Sequence, residues 1–89
     1  MTIAVHQELD VTVRAVAPVG CFVIIDGQVD GREGFVDQAK HPSWWTDAPP
    51  PRAGDRLHVV VLDASRNPPR LSALTSDIEI ARRLRAREA

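Results

Sequence analysis

Apolar and polar residues alternate along much of this chain with a period of two, the spacing of half-buried strands. From about Leu9 to Ala17, Val11, Val13 and Ala15 fall on one face and Thr12, Arg14 and Val16 on the other, unless a bulge switches the phase. Pro18-Val19-Gly20 makes a turn. A second strand, Cys21 to Ile25, is predicted with Cys21, Val23 and Ile25 inward and Phe22 and Ile24 outward. Asp26-Gly27 and Asp30-Gly31 are turn signals. A third strand runs from about Glu33 to Asp37. A fourth runs from Arg56 to about Asp63, where Leu57, Val59 and Val61 alternate with His58, Val60 and Leu62. After an Asn67-Pro68-Pro69 turn, Arg70 to Leu74 forms a fifth.

Two segments break this rhythm. Residues 38–53 have no strand pattern and contain four of the seven prolines. One helical turn is expected around Ser43 to Thr46, followed by an extended path through Pro49-Pro50-Pro51. The tail is helical, with Thr75 or Ser76 as cap and Glu79 completing a capping box. Ile80, Ala81 and Leu84 share one face, and arginines gather toward the end, where cations suit the helix dipole. The chain therefore divides into a barrel over residues 1–75 and a basic amphipathic helix over 76–89, packed on the barrel or extending from it.

Eighty-nine residues with 44% hydrophobic content suit one small domain. No apolar run approaches the ~18 residues that span a bilayer, so no membrane association is expected. The first residues lack the pattern of a signal peptide. The lone Cys21 excludes an internal disulfide and is expected to be an inert packed thiol; a reducing cytoplasm is the plain reading. The net charge of −1 opposes strong nucleic-acid binding, because phosphate affinity comes largely from Lys and Arg. Its distribution is uneven: residues 1–65 sum to −4 and residues 66–89 to +3. Ten of the eleven cations are arginine, suited to bidentate phosphate contacts and to stacking on bases.

Five short strands with a wide connection between the third and fourth describe an all-β, five-stranded antiparallel barrel of OB type with a short C-terminal helix. Val13, Val16, Pro18, Gly20, Phe22, Val23, Gly34, Phe35, Val36, Gly54, Asp55, Val59, Val61, Leu62, Leu71 and Ser72 resemble the ribosomal protein S1-type RNA-binding domain over about residues 9–73. The resemblance implies a binding face on the first three strands. There an exposed aromatic pair stacks bases, a histidine follows the third strand, and Asp and Arg lie near the turn between the fourth and fifth. Phe22 matches one aromatic; the other aromatic position is Val19 here, and the histidine position is Asp37. The aspartate position falls near Ser65, with Asp63 close by, and Arg66 and Arg70 stand for the basic ones.

No paired carboxylates, phosphate-binding glycine loop or nucleophile constellation emerges, so a non-catalytic binding module without cofactor is expected. His6, His41 and His58 have no metal-ligand spacing and read as solvated. The leading expectation is a stand-alone single-stranded RNA-binding domain of modest affinity, acting in translation or RNA metabolism. It would use Phe22 with Val19 and Ile24 as apolar neighbours, Asp37 at the histidine position, and Arg14, Arg66 and Arg70 on phosphates. The competing expectation is a protein-interaction adaptor or accessory subunit of the same fold. Trp44 and Trp45 are adjacent and on an extended segment cannot both face the core, so one should pack on the barrel and the other be exposed, to stack a base or to fill a pocket on a protein partner. Arg82 and Arg83 would face an acidic partner surface.

Overall fold

A computed structural model describes residues 3–27 and 31–88, leaving Asp30 of the second turn signal outside the described residues. Its elements are β1 (Glu8–Ala17), β2 (Gly20–Ile25), β3 (Glu33–Asp37), β4 (Arg56–Asp63), β5 (Arg70–Ser72) and α1 (Thr75–Glu88). Two single 3-10 turns, Gln38–Lys40 and Pro42–Trp44, interrupt the connection from β3 to β4. The strands close into a barrel in the order β1-β2-β3-β5-β4. Closure is not wholly antiparallel: β5 runs parallel to β3, pairing Phe35 with Arg70 and Val36 with Leu71. A barrel with an odd number of strands cannot alternate direction all the way round, so one parallel seam is required. β5 is also shorter than expected, ending at Ser72.

The inward faces follow the alternation. Val11, Val13, Cys21, Val23, Ile25, Val36, Val59, Val61 and Leu71 form one core together with Ile3. Gly34 belongs to the inward set because a Cβ there would collide with Leu71 Cδ1. Register decides the remaining faces. β1 bulges between Val13 and Ala15, so Ala15 then pairs with Phe22 and Val16 with Cys21. The bulge moves Ala15 off the face of Val11 and Val13 and puts the half-exposed Val16 at one mouth of the barrel.

Helix α1 packs on the outside of β4, where Ile78 and Ala81 bury Val60. The helical face expected from spacing is corrected here, since Ile80 is 50% exposed. The helix starts one residue early, with Ile78 N–H donating to Leu74 O. Thr75 and Ser76 are therefore inside the first turn and neither is its cap. Buried Ser72 instead braces the segment that leads into the helix: its Oγ accepts from Leu74 N–H at 3.1 Å and donates to Asp77 Oδ2 at 2.7 Å. Lys40 Nζ reaches the same carboxylate oxygen at 3.1 Å. Asp77 thus holds the helix start, the end of β5 and the first 3-10 turn together.

Candidate nucleic-acid interface

Side chains that alternate outward from β1, β2 and β3 meet those of β5 on one flank of the barrel. Direct cross-strand pairing sets Phe22 opposite Phe35. Their ring centroids lie 5.1 Å apart at an interplanar angle of 65°, an edge-to-face contact. Arg14, within the β1 bulge, lies over Phe22 with Cζ 5.8 Å from the ring centroid. Arg70, the parallel partner of Phe35, lies over that ring at 4.7 Å. The result is a continuous arginine–phenylalanine–phenylalanine–arginine row across four strands. Each cation is drawn to the negative face of its ring.

Phe35 was not among the site residues expected from sequence. The signal was present: Gly34 is inward, and alternation then turns Phe35 outward. It packs edge-on against Phe22 and supports that ring, but being buried it does not replace the exposed aromatic that the resemblance had sought at Val19. Phe22 remains half-buried and offers more of its surface than Phe35, which is 4% exposed. Ile24 is half-buried two residues along β2, on the same outer side as Phe22.

Beside Phe35 a shallow depression of 480 Å³ gathers Val19, Asp37, Lys40, Arg66 and Arg70. Four of the residues expected from sequence therefore come together there, joined by Lys40. Val19 is 60% exposed. Arg66 and Arg70 make no ion pair among the described residues, and Arg70 Nε–H is a buried donor without a partner there. Arg14, in contrast, is held by Glu33 at 3.0 Å. Asp37 accepts from Ala39 N–H at 3.2 Å and caps the first 3-10 turn. Asp63 ends β4 by accepting from Ser65 N–H and Ser65 Oγ–H, which hold its carboxyl below the usual carboxylate range.

The histidines are not uniformly solvated. His41 is 7% exposed and anchors the β3–β4 loop by accepting from Ser43 N–H at Nδ1. Burial holds its pKa below the ordinary value, partly opposed by Asp55. His58 sits between two carboxylates, with Nε2 2.7 Å from Glu8 and Nδ1 2.8 Å from Asp10. Both tryptophans are exposed, Trp44 at 55% and Trp45 at 66%, so neither ring is buried against the barrel, although Trp45 Nε1–H donates to Ala39 O at 2.7 Å and ties the two 3-10 turns together. The 3-10 turns project both outward, and the buried anchor of the loop is His41. Arg82 and Arg83 also part company: Arg82 is bound to Glu8, whereas Arg83 lies with Ile80, Leu84 and Arg87 on the outer side of α1. Cys21 is a buried free thiol, and burial pushes its pKa up. Among the described residues, no helix is long and apolar enough to cross a membrane.

No protein-family model matches this chain, and no curated protein matches it in sequence. A solved structure from Streptococcus pneumoniae, described as a multidomain protein with nucleic acid binding domains, is similar in fold, with a TM-score of 0.65 and 18% identity. The match covers 83% of this chain and 24% of that one, so this chain corresponds to about a quarter of that protein's length. At this identity the likeness supports a shared fold, consistent with the OB-type barrel.

Proposed function

We propose that this protein is a non-catalytic module that binds single-stranded RNA with modest affinity, in the manner of the S1-type domains it resembles. The row Arg14–Phe22–Phe35–Arg70 carries this reading. Base stacking on exposed aromatics tolerates any sequence, and flanking guanidinium groups suit the phosphates between stacked bases. A strand laid along the row would stack on Phe22, with Val19 and Ile24 as apolar flanks. Arg14, Arg66 and Arg70 would contact the backbone. Asp37 faces the same depression as an anion and lowers the affinity expected there. A cytoplasmic place in translation or RNA metabolism follows from this reading.

The two exposed tryptophans favour a second reading, an adaptor that docks a protein through the β3–β4 loop. Titration of a fluorescein-labelled ten-nucleotide RNA at 50 and 200 mM salt separates the two. Under the RNA reading, Phe22→Ala weakens binding by ~1–3 kcal/mol while the fold is retained. Affinity declines with salt on a shallow slope, because few cations face the strand. Absence of binding even at the lower salt would overturn it in favour of the adaptor.

A further inference from the structure

The depression beside Phe35 carries charges of both signs. Asp37 ends β3 two residues beyond Phe35, so strand alternation puts both side chains on the outer face, about 7 Å apart along the strand. Arg70 lies over the Phe35 ring at 4.7 Å, and Arg66 lines the same depression. A site for phosphate alone gains nothing from a carboxylate, which repels the anion. Yet Asp37 is exposed and makes no ion pair among the described residues. Its Oδ1 accepts from Ala39 N–H at 3.2 Å. That bond fixes the side chain and leaves Oδ2 and a second lone pair of Oδ1 open. Lys40 is held by Asp77 at 3.1 Å and does not neutralise Asp37. Asp37 and the two arginines share the depression without pairing to one another, so a group placed between them satisfies both.

A carboxylate only accepts, and its two oxygens match a pair of adjacent donors. A guanidinium only donates and matches a pair of adjacent acceptors. Guanine alone among the RNA bases offers both, with N1–H and the N2 amino group on its Watson–Crick edge and O6 and N7 on the next edge. None of the other three has two adjacent donors, so each sets an acceptor against one carboxylate oxygen. We propose that Asp37 is a specificity-determining residue that selects guanine from the strand by accepting from N1–H and N2–H, while Arg66 and Arg70 supply donors to O6 and N7. The depression, at 480 Å³, lies within the range of small-ligand clefts, about 300–1,000 Å³, and admits a purine. The inference rests on the RNA reading above and deepens it. Asp37 weakens the hold on phosphate and adds selectivity for one base.

The test titrates labelled uridine octamers that carry one central guanosine, inosine, adenosine or cytidine, with all-uridine as reference. The guanosine octamer should bind about tenfold more tightly than the adenosine, cytidine and all-uridine octamers, the discrimination of one bidentate base contact. Inosine keeps N1–H, O6 and N7 but lacks the N2 amino group, and it should fall several-fold below guanosine. Asp37→Asn keeps an oxygen for Ala39 N–H but sets an amide donor against the base. It should bring guanosine within about twofold of adenosine without weakening the all-uridine octamer. Guanosine binding no tighter than adenosine and cytidine, with Phe22→Ala still weakening every octamer, would overturn the guanine assignment and leave the RNA reading intact. A uniform gain for all octamers on Asp37→Asn would also overturn it, since Asp37 would then only repel phosphate. Failure of every octamer to bind at 50 mM salt would overturn both. The base series needs no variant, so it decides even if Asp37→Asn does not fold.

Discussion

Glu8 at the start of β1 accepts two hydrogen bonds from Arg82 of α1, from Nε at 3.0 Å and from Nη2 at 2.8 Å. Seventy-four residues separate the pair in sequence, so it ties the last element of the chain to the first. Arg85 adds bonds to the same carboxylate and to His6 O. His58 closes the cluster from β4. Both of its ring nitrogens face carboxylate oxygens, which only accept, so both contacts are hydrogen bonds only in the imidazolium form, and the two carboxylates favour that form.

This cluster predicts a two-sided pH dependence of stability. Hydrogen bonds from Arg82, His58 and Arg85 depress the Glu8 pKa far below its ordinary 4.5. Its stabilising contribution is thus complete above about pH 4.5 and is lost as pH falls toward the folded-state value. Glu8 and then Asp10 raise the His58 pKa above its ordinary 6.5. That contribution is complete below pH 6.5 and is lost as pH rises through the folded-state value. Thermal melts from pH 3 to 9 should show Tm highest between these limits. His58→Gln should flatten the alkaline decline and reduce, without abolishing, the acid-side decline, which Arg82 and Arg85 still carry.

Removing the carboxylate charge tests the clamp itself. Glu8→Gln should destabilise the protein by ~1–2 kcal/mol, a modest figure because the arginines remain partly solvated. Far-ultraviolet circular dichroism should show helix loss preceding the main melt. A single melt of unchanged midpoint would show that the packing of Ile78 and Ala81 on Val60 holds α1 without the ion pairs.

The β3–β4 loop should tolerate loss of either tryptophan but not of its histidine. Trp44→Ala removes an exposed ring and should cost under about 1 kcal/mol; Trp45→Ala also removes the bond to Ala39 O and should cost about 1 kcal/mol. His41→Ala removes a buried ring and the acceptor of Ser43 N–H, and should cost ~2–4 kcal/mol. Urea denaturation of the three variants ranks them directly. The reverse order would mean that the loop is anchored through its rings.

Two glycines should resist substitution for steric reasons. A Cβ at Gly34 would meet the Leu71 side chain, and one at Gly20 would meet Val36 O and the Phe35 ring edge. Gly34→Ala should cost ~1–3 kcal/mol, because Leu71 has room to shift only by disturbing the core. Gly20→Ala should cost more, since its obstacle includes backbone, and it should also displace Phe35. Urea midpoints measure the first effect, and RNA titration of the folded variant measures the second.

Asp77 joins three elements through two partners, and Asp77→Ala should cost ~1–2 kcal/mol as a lost helix-start contact. Amide exchange should quicken first in Leu74–Ile78. Uniform quickening across the barrel would instead show that the junction supports β5 more than the helix.

Much of the barrel was legible in the chain, because strand periodicity is a local property. Val11, Val13, Cys21, Val23, Ile25, Val59 and Val61 point inward as their alternation requires, and Asp26-Gly27 and Pro18-Val19-Gly20 turn where expected. Phe22 was likewise recognisable as facing outward. What periodicity alone could not supply was the phase beyond the β1 bulge or the direction of the β5 seam. Both depend on partners elsewhere in the chain.

The same division runs through the candidate site and the tail. Residue types named Arg14, Phe22, Arg66 and Arg70 as chemistry of the right kind, but only register brought Phe35 against Phe22 and Arg70 over Phe35. Helical spacing showed an amphipathic tail, yet the packed face is Ile78 and Ala81 with Arg82 and Arg85 turned to Glu8, leaving Ile80 in solvent. The burial of His41 and the exposure of both tryptophans were likewise set by the 3-10 turns and the barrel mouth beneath them. Local pattern determines which side of an element is apolar. Which side is actually covered depends on what the closed barrel places against it, and only the tertiary structure contains that information.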